Sequence, residues 1–157
     1  MGNLRIRAWR PEDADATLAL FRDTVRSVNS GDYDPAQIAA WASDEIASDA
    51  WRLRLEAGEA WVAELDGVLS GFTSLTADGV VDLLFVDKMH QGEGIASELL
   101  AALESAARDR GVGALATDAS ITARPFFSAR GFSLVAEQDV ELRGQVFRNF
   151  RMTKRLG

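Results

Sequence analysis

The chain has 157 residues, 47% hydrophobic and 26% charged, with a formal net charge of -7, which is typical of one soluble globular domain over residues 1–157. The acidic balance argues against sequence-independent nucleic-acid binding and is compatible with a cationic partner such as an amine. The chain has no cysteine, which excludes disulfides, and one histidine, so no metal site is predicted. No apolar run approaches the roughly 20 residues that a membrane helix needs, so no membrane contact is predicted and the cytoplasm is the expected location.

The first third of the chain predicts one strand followed by helices. Residues 4–9 alternate apolar and basic side chains, as a strand with one buried face does. Pro11 then begins a helix that has acidic residues in its first turns and an apolar stripe at helical spacing. Residues 29–32, Asn-Ser-Gly-Asp, end that helix. Residues 33–58 predict one or two further short helices.

Three consecutive antiparallel strands are predicted next, at residues 60–65, 68–75 and 80–86, with glycine-containing turns between them. The last of them, Val-Val-Asp-Leu-Leu-Phe-Val, is apolar at every position except Asp82. Such a run suits a central strand that is covered on both faces. An amphipathic helix over residues 93–111 follows it.

The last third predicts a short strand at 114–117, a short helix at 121–129 and a hairpin of strands at 132–140 and 145–152. The order of elements along the chain is β-α-α-β-β-β-α-β-α-β-β. This order describes an α+β protein with helices layered on both faces of a sheet.

A turn that contains two glycines joins the central strand to its helix: Gln91, Gly92, Glu93, Gly94, Ile95, Ala96. Glycine lets the backbone approach a ligand closely, and the free N–H groups of a first helical turn bind anions. Residues 91–96 therefore predict a cradle for a pyrophosphate. The alternatives are a plain tight connection and a different phosphate-binding domain, although the Gly-Lys-Ser/Thr of a Walker loop is absent.

Several motifs resemble the GCN5-related N-acetyltransferase (GNAT) superfamily. Its acetyl-CoA signature, Arg/Gln-x-x-Gly-x-Gly/Ala, is matched by Gln91, Gly94 and Ala96. The preceding Asp-Leu-Leu-Phe-Val and the later Ala-Arg-Pro-Phe-Phe-Ser-Ala-Arg-Gly-Phe, residues 123–132, also look like that family. The resemblance implies a GNAT fold, with a mixed, mostly antiparallel sheet of about seven strands, and acetyl-CoA as co-substrate.

The resemblance also implies where acetyl-CoA would bind. In the GNAT family the central strand separates from the next strand, and its free backbone groups hold the pantetheine arm. Leu84, Phe85 and Val86 match that position, where a backbone N–H would polarise the thioester carbonyl. Gln91 stands where many members have arginine, so binding of the pyrophosphate would depend more on backbone donors. Phe127 is expected beside the pantetheine arm.

Asp82 is the first candidate for the general base. A primary amine is almost fully protonated at pH 7, so the acceptor must lose a proton before it attacks. Asp82 matches the strand position of a glutamate base in some relatives, and burial would strengthen a carboxylate as a base. Alternatively, Asp82 hydrogen-bonds a neighbouring strand or loop. Glu64 is a second candidate, with a solvated strand position as its alternative.

The usual general acid of the family is absent. Many members carry a tyrosine within a Phe-Tyr pair ahead of Gly-Phe, and this chain has Phe126-Phe127 there. A thiol leaves readily, since its pKa is near ~8.5, so a water held by Ser120 or Ser128 would suffice. Tyr33 would replace the acid only if its loop folds over the site. Phe126 is expected in the core.

Tyr33, Trp41 and Trp51 fall in the segment that forms a wall of the acceptor pocket in the GNAT family, although aromatic residues are often simply core. The predicted activity is transfer of an acetyl group from acetyl-CoA to a primary amine of a small molecule or peptide, by direct attack in a ternary complex. The alternatives are a catalytically weak acyl-CoA-binding module and a protein N-terminal acetyltransferase. Residues 132–152 can pair with a second copy, which would give a homodimer.

Overall fold

The computed structural model describes residues 2–157 and places seven strands in one sheet. The strands are β1 Leu4–Ala8, β2 Glu59–Leu65, β3 Val68–Leu75, β4 Val80–Val86, β5 Ala114–Ser120, β6 Ser133–Leu142 and β7 Gln145–Arg155. Their order across the sheet is β1-β2-β3-β4-β5-β7-β6. Every neighbouring pair is antiparallel except β4 and β5. The predicted mixed, mostly antiparallel sheet is therefore confirmed.

Five α-helices cover the two faces of the sheet. They are α1 Ala14–Ser27, α2 Pro35–Trp41, α3 Ser48–Glu56, α4 Ile95–Asp109 and α5 Arg124–Ala129. The apolar residues of α1, α2 and α3 share one core cluster, whereas those of α4 and α5 lie in separate clusters on the opposite face. The predicted layering is confirmed. None of the helices in residues 2–157 is long and apolar enough to cross a membrane.

Several element boundaries differ from the sequence prediction, and two of these differences lie next to the opening between β4 and β5. β5 extends to Ser120, because it pairs with β7 along its whole length, from Ala114 opposite Arg155 to Ser120 opposite Asn149. The helix α4 begins at Ile95, two residues later than predicted, because Gly94 adopts a left-handed conformation with φ of 88°. Pairing partners and backbone angles of this kind are not visible in hydrophobic periodicity.

The strands β4 and β5 pair only at the start of β4, and the opening beyond this point positions the site. Only Val80 and Val81 of β4 have partners on β5, at Ala116 and Thr117. Beyond this point β4 remains paired with β3, and β5 remains paired with β7, so the two central strands diverge. The middle of the sheet therefore contains a V-shaped opening toward the carboxyl ends of both strands.

Residues 29–33 connect the two sides of this opening. On the β4 side, Thr24 of α1 donates from Oγ1 to the Val86 carbonyl at 3.0 Å. On the β5 side, the Tyr33 hydroxyl accepts from Ile121 N at 2.9 Å and donates to Arg148 O at 2.7 Å. Thr122 Oγ1 donates to Asp32 Oδ2 at 2.7 Å. These bonds fix the chain after α1 across the open end of the sheet.

An ion pair joins β1 to the turn before α1. Arg7 donates from Nη1 and Nη2 to the two carboxylate oxygens of Asp13 at 2.8 and 2.9 Å, and Arg10 N donates to the same carboxylate at 2.8 Å. The hydrogen bond from Arg7 lowers the pKa of Asp13, although partial burial opposes this shift. Because the folded state favours the charged form, this pair stabilises the protein above the ordinary carboxyl pKa of ~3.9 and loses its effect as the pH falls below it.

We predict that Asp13→Asn lowers the free energy of unfolding at pH 7 by about 2 kcal/mol, because it removes the bidentate partner of the poorly exposed Arg7 guanidinium, which keeps only the longer contact with Glu64. The difference from wild type should shrink as the pH falls from 7 to about 3. Urea unfolding at both pH values measures it. Asp44→Asn, in the exposed pair with Arg26, is the control and should change stability little. If Asp13→Asn were as much less stable than wild type at low pH as at pH 7, the Arg7–Asp13 ion pair would not be the cause.

Candidate active site

A cavity of about 690 Å³ lies where β4 and β5 diverge. Most of the residues singled out from the sequence line it: Tyr33, Trp41, Asp82, Leu84, Phe85, Val86, Gln91, Gly92, Gly94, Ile95, Ala96 and Phe127. Glu93 and Trp51 do not. The opening between the strands thus brings together residues far apart in sequence.

The cradle presents a row of free donors to the cavity. None of the backbone N–H groups of residues 91–96 donates to another atom of residues 2–157, and the first helical bond runs from Glu98 N to Gly94 O at 3.1 Å. Gly92 and Gly94 have φ of 74° and 88°, and a Cβ added to either would meet nothing within 4 Å. The space beside them is open, and the positive end of the α4 dipole faces it. This arrangement suits an anion such as a pyrophosphate.

The side chains of the cradle stabilise the turn rather than face the cavity. Gln91 Nε2 donates to Val86 O at 2.7 Å and to Asp87 O at 3.3 Å. Glu93 Oε2 lies 3.2 Å from Nδ1 of His90. The Ile95 side chain is buried beneath the turn. The predicted contacts of these three residues with an anion would therefore come from their backbone N–H groups, and not from their side chains.

Leu84 carries the free backbone groups of β4. Asp87 N donates to Ser70 O on β3, so in an antiparallel ladder Phe85 and Leu83 also direct their backbone groups toward β3. Leu84 and Val86 then direct theirs toward the opening. The Val86 carbonyl already accepts from Thr24 and Gln91. Leu84 is therefore the residue whose N–H and C=O are available to a ligand that lies along β4.

The structure corrects the prediction for Phe85. Since its backbone groups pair with β3, its contribution to the cavity is the ring. That ring packs against Phe21 with centroids 5.0 Å apart and against Trp41 at 6.3 Å. Both neighbours belong to the face covered by α1 and α2. Phe85 thus forms part of an aromatic wall, rather than a backbone contact for a pantetheine arm.

Both phenylalanines of α5 line the cavity. Phe127, expected beside the ligand, is 3% exposed and also packs against Phe132 with centroids 5.1 Å apart. Phe126, expected in the core, is only partly buried and lines the cavity. The Arg130 guanidinium lies 4.9 Å above the Phe126 ring and donates to Ser97 Oγ. Arg130 therefore places a positive charge beside the cradle.

Asp82 lies at the closed end of the opening and is paired with an arginine. The register skips Asp82, since Leu83 pairs with Ser74 and Val81 with Leu75. The carboxylate accepts from Arg54 of α3, from Nε at 2.8 Å and from Nη2 at 3.1 Å, and its side chain is 29% exposed. The argument that burial strengthens Asp82 as a base therefore does not apply, because the carboxylate has a counter-ion and contact with solvent.

The three aromatic residues predicted for the acceptor pocket separate into two groups. Trp41 and Tyr33 line the cavity and pack against each other with centroids 5.5 Å apart. The prediction for Trp51 is wrong: it is 1% exposed, lies outside the cavity wall, and donates from Nε1 to Thr17 Oγ1 at 3.1 Å. Burial raises the pKa of the Tyr33 phenol, whose proton is engaged with Arg148 O.

The remaining candidates for proton transfer are mostly engaged elsewhere. Ser120 lines the cavity, but its Oγ accepts from Ala123 N at 3.0 Å, and Ser128 does not line it. Glu64 lies outside the cavity, 3.3 Å from Arg7 Nε. Among residues 2–157 no group of three or more acidic or histidine side chains is arranged to hold a metal.

Several lining residues were missed by sequence reasoning: Asn29, Arg54, Val140, Leu142, Phe147 and Asn149. Arg54 looks like any exposed helical arginine, and Asn29 like a helix-ending residue. The hairpin residues follow the strand alternation, which predicts a shared face but not that this face covers the cavity. Only the tertiary structure identifies their neighbours.

Comparisons with known proteins agree with this geometry. Residues 29–156 match the Acetyltransferase (GNAT) domain family. The chain is 39% identical over 152 residues to the uncharacterized N-acetyltransferase YafP of Escherichia coli K12, covering 97% of this chain and 96% of that protein. A crystal structure from Rhodopseudomonas palustris, described as a GCN5-related N-acetyltransferase and as an aminotransferase of class II, has 34% identity and a TM-score of 0.94 over 99% of this chain and 97% of that one.

More distant structures share the fold. The PaiA N-acetyltransferase of Thermoplasma acidophilum, solved in complex with coenzyme A, has 18% identity and a TM-score of 0.78, with 98% of this chain and 99% of that chain covered. The putative acetyltransferase YncA of Salmonella typhimurium, solved with acetyl-CoA, has 21% identity and a TM-score of 0.74, with 98% of this chain and 94% of that chain covered. The family match over residues 29–156 and the 39% identity to YafP show that the chain belongs to the GNAT acetyltransferase family.

Proposed function

We propose that the protein transfers an acetyl group from acetyl-CoA to a primary amine of a small molecule or peptide, by direct attack within a ternary complex. The observation that carries this proposal is the continuity between the cradle and the free backbone groups of Leu84 along one cavity wall. The phosphates of an extended ligand would then bind at the cradle while its thioester lies beside Leu84.

The residues of the cradle fit the phosphates of acetyl-CoA. The N–H groups of residues 91–96 would donate to the pyrophosphate, at a helix start where the dipole favours negative charge. The open space beside Gly92 and Gly94 leaves room for the close approach that this contact requires. Arg130 would add a positive charge beside the cradle, which is useful in a protein with a net charge of -7.

Leu84 and Asp82 would act on the reacting groups. The Leu84 N–H would donate to the thioester carbonyl as negative charge develops on its oxygen. Asp82 would attract the acceptor ammonium and accept its proton, directly or through a water, while Arg54 holds the carboxylate in place. The amine nitrogen then bonds to the carbonyl carbon and the carbon–sulfur bond breaks. The thiolate can leave without a tyrosine acid, since a thiol has a pKa near ~8.5.

A second candidate function is a catalytically weak acyl-CoA-binding module. It is favoured by the pairing of Asp82 with Arg54 and by the Phe126-Phe127 sequence where the family's tyrosine acid usually lies.

We also propose that the protein forms a homodimer. β6 is an edge strand of the sheet, and its residues Leu134 and Val135 are exposed, so a second copy can pair there.

We predict that Gly94→Glu raises the dissociation constant for acetyl-CoA by about 100-fold or more, because its side chain places bulk and negative charge where the pyrophosphate binds. Isothermal titration calorimetry measures this change. The matched control is Gly111→Glu, at the other end of α4. Gly111 also has a positive φ, of 77°, and open space around it, but it lies outside the cavity.

Equal weakening by both substitutions would show that backbone strain, and not the cradle, explains the loss. A folded wild type that does not bind acetyl-CoA would overturn the proposed function itself.

We also predict that Asp82→Asn lowers kcat by about 100-fold or more, while acetyl-CoA binding is unchanged, because the variant cannot accept the acceptor's proton. Release of the CoA thiol is the readout, and the chain contributes no background because it has no cysteine. The amine panel is tyramine, lysine, spermidine and a tetrapeptide that begins with glycine. Asp49→Asn, in the exposed pair with Arg52, is the control. An active Asp82→Asn enzyme would remove Asp82 as the base, and a wild type that binds acetyl-CoA without turnover would favour the binding module.

A further inference from the structure

One buried amide in the cavity has no partner. Ten polar side chains are buried in residues 2–157: Asp13, Thr17, Thr24, Asn29, Ser43, Ser70, Thr73, Ser74, Glu104 and Thr117. Eight of them make a hydrogen bond. The exceptions within the described chain are Ser74, whose Oγ is fully enclosed, and Asn29, which lines the cavity.

Asn29 is 5% exposed, and only its backbone is engaged, since its carbonyl accepts from Asp32 N at 3.0 Å. The side-chain oxygen and nitrogen of Asn29 have no hydrogen-bond partner in residues 2–157, but unlike Ser74 Oγ they are not fully enclosed and keep some contact with solvent. Buried polar groups in native proteins are nearly always paired, so an unpaired one that faces a cavity indicates a group used in binding. Ser74 is also unpaired but does not line the cavity, so it serves as the comparison.

The surroundings of Asn29 identify the end of the cavity to which it belongs. Asn29 begins the segment of residues 29–33, which crosses the opening on the face covered by α1 and α2. The free backbone donors for acetyl-CoA lie instead on the edge of β4 and at the start of α4. Asn29 therefore lies on the wall that it shares with Tyr33 and Trp41 and not on the cradle.

That wall is largely apolar. The rings of Tyr33, Trp41 and Phe147 pack on one another, and Phe85 packs on Trp41. Val140 and Leu142 of β6 are 42% and 36% exposed, and both line the cavity. Their exposure on a strand is explained if an apolar ligand body lies against them.

Most polar groups on this side are already occupied. The Tyr33 hydroxyl is held by two backbone groups, Thr24 Oγ1 donates to Val86 O, and Asn149 Oδ1 accepts from Gln138. The charged pair Asp82–Arg54 lies at the closed end of the opening. A ligand on this wall thus meets an apolar surface, one charged pair, the Asn149 Nδ2 donor and the carboxamide of Asn29, which alone offers both a free donor and a free acceptor.

We propose that Asn29 is a specificity-determining residue that hydrogen-bonds a neutral polar group of the acceptor, a hydroxyl or a carboxamide. The acceptor would be a primary amine with an apolar, ring-bearing body, whose ammonium meets Asp82. This inference rests on the proposed function, since it names the acceptor class of the same site. The amide groups of the pantetheine arm of acetyl-CoA could form the same hydrogen bonds with Asn29. The experiment therefore separates binding of the acceptor from binding of acetyl-CoA.

The test compares wild type with Asn29→Leu, which keeps the side-chain size and removes the hydrogen-bonding atoms. The probes are 2-phenylethylamine, tyramine and phenylalaninamide, with thiol release as readout. Wild type should prefer tyramine or phenylalaninamide over 2-phenylethylamine. The variant should lose about tenfold or more in kcat/KM for the preferred amine and little for 2-phenylethylamine, so the preference disappears.

Two further measurements separate this role from the alternatives. The melting temperature of Asn29→Leu should equal or exceed that of wild type, because no hydrogen bond within the protein is lost, and its dissociation constant for acetyl-CoA should be unchanged. Ser74→Ala is the control: it removes an unpaired polar group that lies outside the cavity, and its activity should remain that of wild type.

A lower melting temperature would assign Asn29 a structural role, and weaker acetyl-CoA binding would assign it to the pantetheine arm; either result overturns the inference. A wild type that shows no preference among the three amines, or that binds acetyl-CoA but acetylates none of them, also overturns it. Failure to bind acetyl-CoA at all is the separate result that overturns the proposed function.

Discussion

The divergence of β4 from β5 leaves backbone groups unpaired in the middle of a sheet, where pairing is normally complete. β4 remains paired with β3, and β5 with β7, so both strands stay in the sheet despite the opening between them. Val86 satisfies its carbonyl through Thr24 and Gln91, and the Tyr33 hydroxyl satisfies Ile121 N. Leu84 has no such substitute, so its backbone groups are available to a ligand.

At the cradle, too, backbone groups rather than side chains face the cavity. In an acidic protein of net charge -7, residues 91–96 offer an anion free backbone N–H groups and a helix dipole, with Arg130 as the neighbouring cation. Gln91, at the position where many relatives have arginine, uses its amide to fix the turn against Val86. The positive φ of Gly92 and Gly94 then directs the free N–H groups into the cavity. Backbone geometry, more than charged side chains, determines what this end can bind.

Sequence reasoning succeeded where function depends on local structure. The elements and their layering follow from hydrophobic periodicity, and the glycine turn from six consecutive residues, whereas the mixed sheet of about seven strands was implied by the resemblance to the GNAT family. Leu84 was identified, together with Phe85 and Val86, through the same resemblance. Trp51 was misplaced because an aromatic residue has the same local pattern whether it faces a core or a cavity. Arg54 and Asn29 were missed because their importance depends on partners, or on the lack of them, elsewhere in the chain.

Amide hydrogen exchange, followed by NMR with and without coenzyme A, tests most directly whether the opening and the cradle form one binding surface. The N–H groups of Leu84 and of residues 91–96 lack protein acceptors or point into the opening, so bound coenzyme A should slow their exchange together. Gly111, at the far end of α4, should exchange at the same rate in both states. Protection that is absent from Leu84 and the cradle, or that appears only elsewhere in the chain, would contradict this arrangement.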